Sequence, residues 1–85
     1  MSADELETTI RALVARFAPE ADLETLDPDA PLQEALELDS MDFLNLMIAV
    51  EEATGVSVPE ADYGRVATLA GLVGYVRGAL GGRAR

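Results

Sequence analysis

The chain has 85 residues, 16 of them acidic against 6 basic, and a formal net charge of -10. That length allows one small domain with one modest core, and the charge argues against nucleic acid or an anionic membrane surface as partners. Cysteine and histidine are absent, which excludes a disulfide framework, a thiolate nucleophile and the usual structural zinc sites and fits a reducing cytoplasm.

The start of the chain is acidic and resembles no export signal, and no run of about 18 apolar residues offers a membrane span. Leu6, Ile10, Leu13, Val14 and Phe17 recur at helical spacing, and Ser2 and Glu5 stand at the spacing of a capping box. A first helix ending before Pro19 follows. Residues 18–39 hold Pro19, Pro28 and Pro31 among Leu23, Leu26, Leu32, Leu36 and Leu38, which predicts a long loop with at most a turn of helix, pinned to the core by its leucines. A connection of this length in a small domain is more often than not functional.

A second helix is expected over residues 39–54, with Asp39 as N-cap and Gly55 as a left-handed stop. Val56, Val58 and Pro59 read as an extended link to a short helical turn at residues 62–66. The last helix starts at Thr68 and stacks Leu69, Leu72, Val73, Val76 and Leu80 on one face. Gly71, Gly74 and Gly78 fall opposite, each costing about 1 kcal/mol relative to alanine, so this helix is expected to be weak and to fray. The chain thus reads as an all-α domain over residues 1–80 with a disordered tail at 81–85.

The second helix carries two apolar stripes. At about 100° per residue, Phe43, Leu46, Met47 and Val50 share one face, while Met41, Leu44 and Ile48 cluster roughly 140° away. The first stripe is assigned to the core. The second is covered by Leu23, Leu26 or Leu32 of the long loop, covered by a second copy of the chain, or left open for transient partners. Its surroundings are acidic: between Phe17 and Gly64 there are 13 acidic residues and no basic one. A solvated surface or a docking face for basic partners would both produce that pattern.

Ser40 stands at the start of this helix between Asp39 and Asp42. A serine nucleophile needs a base, usually histidine, and the chain has neither histidine nor lysine, so Ser40 does not catalyse its own chemistry. Asp39 and Asp42 read as cap and dipole partner rather than as an acid/base pair. A hydroxyl at a helix N-terminus is suited to bearing a phosphoester, whose charge the helix dipole tolerates, attached by another enzyme. Calcium-loop spacing laid over residues 22–33 and 27–38 fails, because the glycine at the sixth position and the glutamate at the twelfth are not both met in either register.

The run Leu38, Asp39, Ser40, Met41, followed by a helix ending in Glu51 and Glu52 and then by Val58 and Pro59, resembles the acyl carrier protein family over nearly the whole chain. The resemblance implies a bundle of three main helices and one short one with a long first loop. It implies that Ser40, within the motif completed by Asp39 and Met41, receives 4'-phosphopantetheine from coenzyme A through a holo-synthase, a phosphopantetheinyl transferase. The arm's thiol would carry acyl intermediates of fatty acid, polyketide or related biosynthesis as thioesters, and the protein would not itself be an enzyme. It would act as a monomer, docking Asp42, Leu44, Asn45, Ile48, Glu51 and Glu52 onto basic patches of acyl-loading and acyl-processing enzymes. Two positions depart from the family: Glu37 replaces the usual glycine three residues before the serine, and Asn45 replaces a commonly acidic residue. An aminoacyl or peptidyl carrier, or an acidic helical interaction module with no arm, are the alternative readings.

Overall fold

The computed structural model describes residues 2–83. Three helices of 15 residues build the bundle: α1 (Ala3–Phe17), α3 (Ser40–Thr54) and α4 (Leu69–Arg83). Between them lie a four-residue helix, α2 (Leu32–Ala35), and a 3-10 helix, η1 (Glu60–Val66). The expected all-α bundle is borne out, with the turn anticipated in the first loop now resolved as α2. The short turn expected at 62–66 is longer by two residues and is a 3-10 helix. Residues 81–83, expected in a disordered tail, continue α4, whereas 84 and 85 lie outside the described residues.

Each long helix starts on a side-chain cap that satisfies one of its free N–H groups. Ser2 Oγ accepts from the Glu5 N–H at 3.1 Å, Asp39 Oδ1 from the Asp42 N–H at 2.7 Å, and Thr68 Oγ1 from the Gly71 N–H at 3.0 Å. Leu6, Ile10 and Val14 of α1 meet Leu46 and Val50 of α3 and Leu72 and Val76 of α4 in one core that also takes in Leu32. No polar or charged side chain is buried among the described residues, so burial of apolar area dominates the stability of the bundle.

The long first connection is tied down at several points. Leu32 and Leu38 are buried, and Leu23, Leu26 and Leu36 pack partly against the core. The Leu32 N–H donates to the Ala67 carbonyl at 2.8 Å and the Ala70 N–H to the Pro28 carbonyl at 3.0 Å, so the loop is stitched to the start of α4. Arg11 Nη1 reaches the Leu23 carbonyl at 3.1 Å. Asp22 and Asp27 accept from the N–H groups two residues on, at 3.0 and 2.9 Å, which fixes two turns.

The α4 glycines are not equivalent. A Cβ on Gly71 would lie 2.5 Å from the Arg65 carbonyl oxygen, so this glycine permits α4 and η1 to approach backbone to backbone. Gly74 and Gly78 face open space, as their position opposite the apolar stripe predicts.

Candidate functional site

The turn before α3 sets the position of Ser40. Its last residues form a left-handed stop for α2: Glu37 adopts φ 55° and the Leu38 N–H reaches back to the Gln33 carbonyl at 2.9 Å, the six-to-one bond of a Schellman motif. Glycine is favoured at such a position because it has no Cβ, and this chain places Glu37 there. The chain then turns into Asp39, extended at φ -84° and ψ -180°, which begins α3 as its N-cap.

Asp39 and Asp42 form a reciprocal capping box, the Asp39 N–H donating to Asp42 Oδ2 at 3.5 Å. Both carboxylates are thus engaged with the backbone of the helix start. Ser40 occupies the first helical position and is exposed, so its hydroxyl is presented to solvent at the positive end of the helix dipole.

An open groove of about 510 Å³ begins at Ser40. Phe43 and Leu44 of α3 form one wall and Glu60, Tyr63 and Gly64 of η1 the other, with Gln33 and Ala67 completing it. The Phe43 and Tyr63 rings meet edge to face, their centroids 5.4 Å apart at 76°. η1 is held to α4 by the Tyr75 hydroxyl, which donates to Asp62 Oδ2 at 2.8 Å, and by the Arg65 guanidinium 5.2 Å above the Tyr75 ring. The bond to Asp62 raises the Tyr75 phenol above its ordinary pKa.

The two stripes of α3 separate as expected. Phe43, Leu46, Met47 and Val50 are buried, whereas Met41, Leu44 and Ile48 are 61%, 39% and 47% exposed. The loop leucines pack inward and leave this second stripe open. Asn45, Glu51 and Glu52 are exposed on the same helix. Asp42 is half-buried and serves the capping box. Gln33, Glu60, Tyr63, Gly64 and Ala67 were not anticipated, since only the fold brings the first loop and η1 beside the serine. Among the described residues no acidic cluster offers a metal site, and no helix is long and apolar enough to cross a membrane.

A family model described as a phosphopantetheine attachment site matches residues 8–76. The chain belongs to this family. Among curated relatives, an acyl carrier protein of Rubrobacter xylanophilus is 37% identical over 49 residues, which cover 58% of this chain and 60% of that protein. An acyl carrier protein of Thermosynechococcus vestitus is 29% identical over 76 residues, 89% of this chain and 93% of that protein. The resemblance to acyl carrier proteins read from the sequence is borne out, and the cofactor is a covalently attached 4'-phosphopantetheine. The geometry fits such a group: a hydroxyl stands free at a helix N-terminus that tolerates a phosphodiester, and a groove leads away from it that can receive an extended chain.

Proposed function

We propose that this chain is an acyl carrier protein whose Ser40 bears the phosphopantetheine arm and whose exposed α3 face docks the enzymes that load and process the cargo. The observation that carries the reading is Ser40 itself, exposed at the first position of α3 behind the Asp39 cap and within the span of the attachment-site family. With neither histidine nor lysine in the chain, Ser40 acts as an acceptor and the transferase supplies the base. Ser40 Oγ attacks the β-phosphorus of coenzyme A; the Oγ–P bond forms, the pyrophosphate P–O bond breaks, adenosine 3',5'-bisphosphate leaves and the hydroxyl proton passes to the transferase.

Asp39 holds the helix start rigid for that attack, and Met41 flanks the serine as a solvent-facing contact for the transferase. Leu44 and Ile48 supply apolar contact to partners, while Asn45, Glu51 and Glu52 supply polar and negative contact to basic patches. The protein serves as a monomeric carrier in the cytoplasm for acyl intermediates of fatty acid, polyketide or related biosynthesis, and contributes no catalytic step of its own. Incubation with coenzyme A, magnesium and a broad-specificity transferase is expected to add one phosphopantetheinyl group by intact mass, and none to Ser40→Ala. Modification of that variant, or of Ser57 in the wild type, overturns the assignment.

A further inference from the structure

An open cleft of about 480 Å³ lies where the end of α1 meets α2. Phe17, Ala18, Pro19 and Leu36 give it an apolar lining, and Glu20 and Glu37 stand beside them. Phe17 and Leu36 pack partly against the core, so the apolar part of the lining is anchored, whereas both glutamates are exposed.

The cleft is negative and has no counterion of its own. Among the described residues neither Glu20 nor Glu37 is in an ion pair, since the only one joins Arg11 to Glu7. Arg16 is the nearest cation along the chain, and it neither lines the cleft nor reaches either carboxylate. α1 ends at Phe17, so the negative end of its dipole adds to the two charges. Apolar surface beside two unpaired carboxylates suits a long cationic side chain, whose methylene stem lies on the first and whose charged head meets the second.

The place of the cleft in the chain says which protein brings that side chain. Glu37 precedes Ser40 by three residues, a span of at most about 11 Å. A specific interface buries about 800 Å² on each partner, a patch about 30 Å across, so an enzyme whose active site closes over Ser40 also reaches Glu37.

We propose that this cleft is a second anchor for the phosphopantetheinyl transferase, taking an arginine or lysine side chain of that enzyme between the apolar lining and the carboxylates of Glu20 and Glu37. The inference rests on the carrier reading and deepens it, because it adds a contact that the α3 face does not supply. It also gives Glu37 a use: at φ 55° glycine would sit without strain, and the carboxylate that glycine lacks is one half of the anchor.

The test measures KM and kcat for loading of the full chain by a broad-specificity phosphopantetheinyl transferase with coenzyme A and magnesium. Glu20→Gln, Glu37→Gln and Glu37→Gly are each expected to raise KM at least threefold, and the double glutamine variant at least tenfold, with kcat unchanged within twofold. Glu37→Gly is expected to load worse while melting higher than the wild type, a pair of effects that a merely structural residue would not give. Asp4→Asn removes the same charge at the far end of α1, about 20 Å away along the helix, and is expected to leave KM unchanged. A rise of less than threefold in either single glutamine variant, or an equal rise in Asp4→Asn, overturns the anchor. Absence of loading at Ser40 in the wild type, read by intact mass, overturns the carrier reading itself.

Discussion

The two sides of α3 are made of similar residues and put to opposite uses. Leu46 and Val50 are fully buried, whereas Leu44 and Ile48, a few positions away, remain 39% and 47% exposed on a solvent-facing side. Apolar character alone does not decide burial; register decides it, because α1 and α4 cover only one side of the helix. An uncovered apolar stripe among acidic residues fits the transient docking proposed for this face.

The sharpest way to break this comparison is truncation. Leu46→Ala should cost about 2–5 kcal/mol through the cavity it leaves, and Leu44→Ala or Ile48→Ala about 1 kcal/mol or less, read from urea unfolding. Equal losses on the two sides would mean that the second stripe is packed in solution. Charge reversal probes the same side without touching the core: Glu51→Lys with Glu52→Lys should keep the melting temperature while slowing association with the transferase by about tenfold, since steering acts mainly on the on-rate. The wild-type rate should fall as salt shortens the screening length, about 10 Å at 0.1 M, and stopped-flow rates indifferent to both changes would reduce the acidic side to a solubility device.

A smaller effect is expected where the exposed side begins. Glu37 holds a left-handed φ of 55° that glycine adopts without strain, so Glu37→Gly should stabilise the fold by about 1 kcal/mol, a gain of several degrees in a calorimetric melt. An unchanged or lower melting temperature would show that the Glu37 side chain repays its own strain. The smallest effect concerns η1, which walls the groove. The folded state raises the Tyr75 pKa through Asp62, so the contribution of this contact is full below the ordinary tyrosine value of about 10 and is lost as pH rises through the raised value. Tyr75→Phe should remove that alkaline loss in melts taken between neutral pH and pH 11.

Much of this architecture is legible in the sequence because it is locally encoded. Ser2, Asp39 and Thr68 mark helix starts, Gly55 marks a stop, and the spacing of Leu46 and Val50 against Leu44 and Ile48 separates the two sides of α3 before any packing is seen. What escapes the sequence depends on distant partners. Phe43 reads as a core residue, and its second role in a wall of the groove requires Tyr63, brought by a separate element. Gly71 reads like Gly74 and Gly78 until the Arg65 carbonyl appears against it. Asp22 and Asp27 read as surface charge, yet each fixes a turn. The leucines of the long loop read as pins to the core, but its backbone ties, from Leu32 to Ala67 and from Ala70 to Pro28, leave no mark in either segment alone.

Those ties give α4 a gradient of local opening. Its first turns are fastened by the Thr68 cap, by the Pro28 carbonyl and by the tight seat of Gly71 on η1. Beyond them, Gly74, Gly78 and Gly81 face open space, where the backbone gains no side-chain cover and pays the entropy of glycine. The amides of the first turns are therefore released to solvent only when the whole bundle opens, whereas those of the last turns exchange through fraying that leaves the core intact. Tyr75, whose hydroxyl holds Asp62 of η1, follows Gly74 directly and so stands at the boundary between these regimes.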